Sequence, residues 1–358
     1  MSYIVRVIRD PDTVRRYSSS DWESLLGELR SQNMVAKIGR LLEDSGLSEA
    51  IPGNARDTFA GAIAYAEYLQ LVARHEVNEI AETLAGRISP VILLKGCAYL
   101  FENTAAHRGR GLRDIDLLVH PADLEQTEQL LEDAGWRQTE TLSEYDNHYY
   151  RHLSHELPPK RHPRHQLELD LHHNILQPTH RLSIDINLLT AAAVPLGDGI
   201  LFVLDRRDQI LHSAAHLLMS DETEGGIRDI HDICALFEEG QATTPAFGSA
   251  LVARAFELGL ARALYYAVDF AREHTGLSLS PNAWEALRAA RPSLPIDILM
   301  RQLLKSKLRT SIDPTRCYGA QRLAGFLLYI RSHWIRMPPL QLAKHLGTKA
   351  LMRTRGEA

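Results

Sequence analysis

The stretch VILLKGCAYLFENTAAHRGRGLRDIDLLV, residues 91–119, predicts a buried strand, a tight turn, a helix and a second strand. The second strand carries Asp114 and Asp116, and successive side chains of a strand point to opposite faces of a sheet. The two carboxylates are therefore expected to project together, while the apolar residues that alternate with them pack beneath the sheet. These apolar residues are Ile115, Leu117 and Val119.

The first strand of this stretch is followed by a glycine turn. Residues 91–94 are all apolar, as expected of a buried strand, and Gly96 follows almost directly. Residues 98–101 then have the spacing of a helix. A glycine between a strand and a helix lets the backbone approach a ligand closely, and the free N–H groups at a helix start favour anions. Together with the acidic strand, the turn predicts a phosphate-binding position.

Two carboxylates held side by side repel each other unless a proton or a cation lies between them. A Mg²⁺ ion bound through one or two carboxylates and through substrate phosphates is the usual arrangement. Asp114 and Asp116 therefore predict a Mg²⁺ site. On the same reasoning, Asp116→Asn is expected to preserve the fold or even to stabilise it, because it removes a repulsive charge.

The G-(x)n-D-x-D arrangement of Gly96, Asp114 and Asp116 resembles the nucleotidyltransferase superfamily typified by DNA polymerase beta and the antibiotic nucleotidyltransferases. The fuller string, LLKGCAYL followed by R-x-x-R-D-I-D-L-L-V, is closer still to a group of bacterial proteins usually called uncharacterised nucleotidyltransferases. The resemblance covers roughly residues 22–237. Its further matches are LELDLH (167–172), LHSAAH (211–216) and IRDIHD (227–232).

The resemblance implies Mg²⁺-dependent transfer of a nucleoside monophosphate from a nucleoside triphosphate (NTP) to a hydroxyl acceptor. Asp114 and Asp116 would hold two Mg²⁺ ions. Asp170 would complete the ion on the acceptor side and help to deprotonate the hydroxyl. Glu168 shares the strand face of Asp170 and is the reserve carboxylate. The acceptor itself stays open between a small molecule, a peptide and an RNA.

The nucleotide-binding residues that the resemblance implies are Lys95, Gly96, Cys97, Arg110 and Arg113. The arginines would reach triphosphate oxygens, or else each pairs with a nearby carboxylate. Lys95 is either a phosphate ligand or an anchor for the sheet. Many superfamily members have Gly-Ser or Gly-Gly where this chain has Gly96-Cys97, and a thiol is a weak hydrogen-bond donor. This difference keeps open an alternative function, a catalytically weak nucleotide- or RNA-binding protein on the same fold.

Four further residues belong to the region of resemblance and are expected to support the site. His172 would support the strand end beside the carboxylates. His216, Arg228 and Asp232 would tie the C-terminal helices to the sheet, or else contact the base or the acceptor.

Length and pattern predict the fold class and the domain organisation. A chain of 358 residues exceeds one typical domain of about 100–200 residues. We expect an α/β (α+β) fold in which a small mixed β-sheet core, residues 89–204, is flanked by helices. The flanking parts are an N-terminal helical region, residues 1–88, and a C-terminal helical region with a basic tail, residues 205–358. Residues 139–154 predict a hairpin.

Cysteine usage and hydropathy predict the compartment. Cys97, Cys234 and Cys317 are widely separated and fit neither a disulfide framework nor a zinc site. The first residues lack the apolar segment of a secretory signal, and no run approaches the about 18 apolar residues of a membrane span. We therefore expect a cytoplasmic protein with no membrane span.

The net charge of −5 hides a strong asymmetry along the chain. Residues 301–358 contain twelve Lys or Arg and two acidic residues, which gives +10 and leaves −15 for the preceding 300 residues. Such a basic tail suggests contact with an anion, namely RNA, a phosphorylated peptide or other phosphorylated substrate, an anionic membrane surface, or the acidic body of the protein. A solvated helical face is an equally open interpretation.

Overall fold

The structure, a computed structural model, describes residues 2–139, 142–197, 199–219, 226–312 and 319–355. Most of these residues are helical. The helices in chain order are α1 (Tyr3–Arg9), α2 (Ser19–Ser31), α3 (Val35–Asp44), α4 (Gly53–Leu84), α5 (Lys95–Phe101), α6 (Leu124–Asp133), α7 (Glu144–His152), α8 (Ile186–Ala191), α9 (Arg206–Met219), α10 (Gly226–Thr243), α11 (Phe247–Glu257), α12 (Ala261–His274), α13 (Pro281–Arg288), α14 (Leu294–Ile312), α15 (Gly319–Arg336) and α16 (Pro339–Arg355).

A mixed sheet with the strand order β3-β4-β5-β2-β1-β7-β6 accompanies the helices. The pairs β2–β5 and β1–β7 are parallel, and the other neighbours are antiparallel. The predicted α/β (α+β) class with a small mixed sheet and flanking helices is therefore confirmed. The strands are β1 (Val91–Leu93), β2 (Asp114–Leu118), β3 (Arg137–Gln138), β4 (Lys160–Arg161), β5 (Glu168–His172), β6 (Val194–Leu196) and β7 (Leu201–Val203).

The chain divides into two compact units, each assembled from separated stretches. The helical unit contains residues 1–71, 99–112 and 206–328. The sheet unit contains residues 72–98, 113–205 and 329–358. The division into three consecutive regions that end at residues 88, 204 and 358 stays a prediction.

Apolar residues of β1, β2 and β5 form the core of the sheet unit. All three residues of β1 are buried, and Ile115, Leu117 and Val119 are each 0% exposed. Leu169 and Leu171 continue the same buried layer on β5. This confirms that the residues alternating with Asp114 and Asp116 pack beneath the sheet, so that the acidic side chains share the other face.

The turn after β1 differs from the predicted glycine turn. Lys95, with φ of 44°, adopts the left-handed conformation, whereas Gly96 lies inside the first turn of α5. The N–H of Leu94 donates to the carbonyl oxygen of Asp116 at 3.0 Å, which fastens the turn to β2. A lysine in this region of φ/ψ space is uncommon and costs on the order of 1–3 kcal/mol, so surrounding contacts must hold it there.

The hairpin expected over residues 139–154 is wrong, because α7 occupies Glu144–His152. Ser143 caps this helix by accepting a hydrogen bond from the N–H of Asp146 at 3.0 Å. No residue of α7 is buried. The apolar residues of the segment therefore do not recur with the period of a helix or of a strand. The capping residue Ser143 is the local feature that marks the start of the helix. Residues 140 and 141 of the expected hairpin lie outside the described residues.

Two findings bear on the compartment. No helix in the described ranges is long and apolar enough to cross a membrane. Cys97 and Cys234 are buried free thiols, and Cys317 lies outside the described residues.

Candidate functional site

Four carboxylates lie on one face of the sheet where β2 and β5 run side by side. In the parallel register Asp116 pairs with Asp170, and Asp114 pairs with Glu168. Registered neighbours on adjacent strands carry their side chains on the same face, with Cβ atoms about 5 Å apart. The structure therefore brings together the three carboxylates predicted from the sequence and the reserve carboxylate.

Asp116 is the buried member of this group and is already paired with two basic side chains. Its Oδ1 accepts a hydrogen bond from Nζ of Lys95 at 3.0 Å and lies 2.9 Å from Nε2 of His172. Only 3% of Asp116 is exposed. Burial raises the pKa of Asp116, but the charge of Lys95 and the hydrogen bond from His172 outweigh burial and hold it well below the usual range.

The two basic partners respond to Asp116 in turn. Burial lowers the pKa of Lys95, but the charges of Asp116 and Asp114 outweigh burial and raise it. Burial likewise lowers the pKa of His172, which the hydrogen bond to Asp116 and the charge of Glu156 raise above its ordinary value. Lys95 therefore places a positive charge beside Asp116, and His172 holds a proton more tightly than an ordinary imidazole does. The expectation that His172 supports this strand end agrees with the contact.

Asp170 has the opposite character. Burial, followed by the charges of Asp116 and Glu156, raises the pKa of Asp170 to about 8. Its carboxyl group is therefore largely protonated at neutral pH when no cation is bound. A carboxylate that repels its neighbours in this way is a natural ligand for a divalent cation, because the cation offsets the repulsion.

Asp114 and Glu168 lie at the solvent side of the carboxylate row. Asp114 is exposed, and its carbonyl oxygen accepts a weak hydrogen bond from the buried thiol of Cys97 at 3.7 Å. Glu168 is partly exposed and lies 3.4 Å from Nε of Arg161. The Cys97 side chain thus packs against the backbone of the strand that bears the carboxylates.

The carboxylate oxygens of Asp114, Asp116 and Asp170 are the kind of ligand that Mg²⁺ prefers, and burial together with the charges of Asp116 and Glu156 raises the pKa of Asp170. Comparison with known proteins adds a family. The family described as uncharacterised nucleotidyltransferase matches residues 18–276, which is most of the chain. The protein belongs to this nucleotidyltransferase family. No curated protein and no solved structure matches the chain.

Membership of the nucleotidyltransferase family supports nucleotidyl transfer as the general reaction, and such enzymes generally use an NTP and divalent metal ions. The match contains all of the candidate residues predicted from the sequence, from Lys95 to Asp232. It also contains two residues beside the carboxylate group that sequence reasoning missed, His155 and Glu156.

Glu156 and His155 lie in the segment that follows α7. Glu156 forms an antiparallel bridge with His172, and its Oε2 lies 3.5 Å from Nδ1 of that histidine. The charge of Glu156 also contributes to the raised pKa of Lys95 and of Asp170. The only signal in the sequence is the density of histidine and acidic residues between positions 152 and 173, which specifies no pairing.

Several of the site residues predicted from the sequence lie in the helical unit. Arg110 forms an ion pair with Asp232, and Nζ of Lys37 lies 2.7 Å from the same buried carboxylate. The interpretation that Arg110 pairs with a carboxylate therefore agrees with the structure. Arg113, by contrast, is exposed and directly precedes Asp114 in the sheet unit.

The remaining predicted residues of the helical unit contact each other around Asp229. Arg228 lies 3.1 Å from the Asp229 carboxylate, and Nδ1 of His216 lies 4.0 Å from it. The contact of His216 with Asp229 joins α9 to α10. A role of His216, Arg228 and Asp232 in supporting the carboxylate group stays a prediction.

Proposed function

We propose that the protein is a Mg²⁺-dependent nucleotidyltransferase that transfers a nucleoside monophosphate from an NTP to a hydroxyl acceptor. The observation that carries the proposal is the register of β2 and β5, which sets Asp116 beside Asp170 with Asp114 on the same face. The family match supports the same reaction class.

Two Mg²⁺ ions would be held by the carboxylates of Asp114, Asp116 and Asp170. When bound, Mg²⁺ neutralises charge on the triphosphate and favours the ionised form of the acceptor hydroxyl. Both contacts of Asp116 are made by Oδ1, so Lys95 and His172 fix the orientation in which its other oxygen would meet a cation. Orientation of this kind removes rotational freedom before the reactants arrive.

Asp170 is proposed as the residue that assists deprotonation of the acceptor hydroxyl. A general base must be ionised to accept a proton, and a cation bound beside Asp170 would favour its ionised form. Its position beside Asp116 would hold the acceptor oxygen close to the carboxylates. Glu168 at the open end of the row is the reserve for this role.

The turn after β1 is proposed to contact the triphosphate. Lys95, Gly96 and Cys97 would contribute through their backbone, because the Cys97 thiol is buried against Asp114. Arg113 is exposed beside the carboxylates and would add positive charge toward the phosphates. Arg110 is paired with Asp232, so we propose a supporting role for it in preference to a direct contact with the nucleotide.

One observation favours the alternative, a catalytically weak nucleotide-binding protein. Asp116 already shares Oδ1 between Lys95 and His172, and a carboxylate so neutralised attracts a cation less strongly than a free one. Under this alternative the protein would bind NTP without consuming it. The acceptor, and a cytoplasmic location, are likewise proposals.

Transfer of label from each of four α-phosphate-labelled NTPs tests the proposal. Wild type, Asp170→Asn and the control Asp133→Asn would each be incubated with Mg²⁺ and a cell lysate, and RNA, protein and small molecules separated. Asp133 is an exposed carboxylate on α6 of the same unit, so its loss should leave transfer unchanged. We expect a labelled product with the wild type and with the control, and at least 100-fold less of it with Asp170→Asn. Nucleotide binding without label in any fraction would support the alternative.

A further inference from the structure

A second group of ligand-type side chains lies beside the carboxylate row, on the other side of His172. It consists of His155, Glu156 and His172, whose ligand atoms all lie within 4.8 Å of one another. We propose that these three residues bind one divalent transition-metal ion of the zinc type, at a site distinct from the Mg²⁺ position proposed at Asp114, Asp116 and Asp170.

Main-chain hydrogen bonds hold the three residues in place. The segment after α7 runs antiparallel to the end of β5, where the N–H of Leu157 donates to the carbonyl of Leu171 and the N–H of His173 donates to that of His155, each at 2.9 Å. Glu156 bridges His172 in the same pairing. The ligand side chains are therefore presented from paired backbone, which keeps their geometry fixed before an ion arrives.

The distances suit a shared ion better than direct contacts. Oε2 of Glu156 lies 3.5 Å from Nδ1 of His172 and 3.9 Å from Nε2 of His155. Strong hydrogen bonds between such groups are about 2.7–2.9 Å long. A tetrahedral zinc ion with bonds of about 2.0–2.1 Å separates its ligand atoms by about 3.4 Å, so small side-chain rotations complete the set.

His172 supplies an independent indication. Its side chain is 2% exposed, and Nδ1 has no hydrogen-bond partner although it is buried and directed at Glu156. The other ring nitrogen, Nε2, contacts Asp116 at 2.9 Å. Metal-binding histidines almost always donate their second N–H to a carboxylate or carbonyl, which fixes the tautomer and leaves the other nitrogen for the metal. His172 has this arrangement.

The ligand chemistry selects the type of ion. Two imidazoles and one carboxylate suit Zn²⁺ or a neighbouring transition metal, whereas Mg²⁺ prefers oxygen ligands throughout. Three protein ligands leave one coordination position open, as in zinc sites that bind water or substrate. Since Asp116 is the outer partner of His172, the ion would also fix the orientation of Asp116 in the carboxylate row.

Cobalt titration of the chelator-stripped, full-length protein tests the site without any nucleotide. Co²⁺ bound by nitrogen and oxygen ligands gives a visible absorption spectrum, and Zn²⁺ should displace it in competition with a chromophoric chelator. One tight equivalent is expected in the wild type. His155→Ala and Glu156→Gln, both at partly exposed positions, should each weaken binding at least 100-fold, and Asp116→Asn should weaken it about 10- to 100-fold.

The matched control is the double variant His148→Ala/His152→Ala. These histidines are exposed one turn apart on α7, with ring centroids 4.5 Å apart, a spacing at which two imidazoles can share a metal ion. The control should keep the tight equivalent. Loss of binding in the control, or a tight cobalt site that survives His155→Ala and Glu156→Gln, would overturn the proposal, as would the absence of any tight site. The titration measures metal binding and not nucleotidyl transfer. A failure of the proposed reaction would therefore not change the result for the metal site.

Discussion

Asp116 and Asp170 are register partners on adjacent parallel strands, yet their pKa values are shifted in opposite directions. Asp116 is buried and Asp170 is partly buried, and exclusion of water by itself raises the pKa of a carboxyl group. Asp116 is additionally paired with Lys95 and His172, whereas Asp170 is surrounded by the charges of Asp116, Glu156 and Asp114. The cation-free pair therefore consists of an ionised Asp116 and a protonated Asp170 at neutral pH.

Magnesium binding should release protons from Asp170. At pH 7 the group is mostly protonated, and a bound cation favours its ionised form, so release approaching about one proton per ion is expected. Calorimetric titration with Mg²⁺ in two buffers of different ionisation enthalpy measures the number. Asp170→Asn should abolish the buffer dependence, and an unchanged dependence in that variant would show that another group releases the proton.

The stability of the cation-free protein should depend on pH through Asp170. Its folded pKa of about 8 lies above the ordinary 3.8, so the folded state binds the proton more tightly than the unfolded chain. The stabilising contribution is full below about pH 4 and is lost as the pH rises through 8. Asp170→Asn cannot ionise, so it should not show the loss of about 4 kcal/mol in the free energy of unfolding that this group causes in the wild type between pH 5 and pH 9.

Urea denaturation with chelator at pH 5 and pH 9 measures this difference. Asp133→Asn, the exposed control, should show the same change with pH as the wild type. A free energy of unfolding that falls equally in wild type and Asp170→Asn would contradict the assignment.

Asp116→Asn should destabilise the fold, contrary to the expectation from the sequence. The sequence suggested that this change removes a repulsive charge, but the carboxylate is the shared partner of Lys95 and His172. Its loss leaves two basic groups without their counter-charge in a buried position, which costs about 3 kcal/mol. The midpoint of urea denaturation at pH 7 measures the effect, and a midpoint equal to that of the wild type would show that solvent replaces the lost partner.

Among the described side chains of the basic tail, some are ion-paired and others are exposed, and the exposed ones are the candidates for acceptor binding. Arg301 contacts Asp269 and Asp297, and Lys305 lies 2.8 Å from Glu273, so both stabilise the helical unit. Arg322 and Lys344 are exposed. Asp313, Arg316 and residues 356–358 of the tail, including Glu357, lie outside the described residues.

If the acceptor is RNA, Arg322→Gln/Lys344→Gln should weaken its binding. Each phosphate contact that is lost on a single strand lowers the slope of log K against log salt by about 0.7, so a decrease of about 1.4 is expected. Fluorescence titration of a labelled single-stranded RNA over a range of salt measures the slope. Arg288→Gln, an exposed arginine outside the tail, is the control, and equal slopes in all three proteins would mean that these residues are only a solvated surface.

The sequence predicted the strands and the shared face of the acids because the period of a strand is local. Alternation from Asp114 to Val119 requires no knowledge of the rest of the chain. The same local reasoning failed for α7, which buries no residue and so has no apolar period to detect. It also placed the special backbone at Gly96 instead of Lys95, because the contact between Lys95 and Asp116 supports a conformation that lysine rarely adopts alone.

The sequence by itself determined the fold class, the paired carboxylates and the family resemblance, since each depends on short-range pattern. Only the tertiary structure decided which carboxylate is ionised and which holds a proton. That difference depends on burial and on partners brought from distant positions, namely Lys95, Glu156 and His172. Electrostatic energies in a protein depend on distance and on exclusion of water, and neither quantity can be read from the linear order of residues.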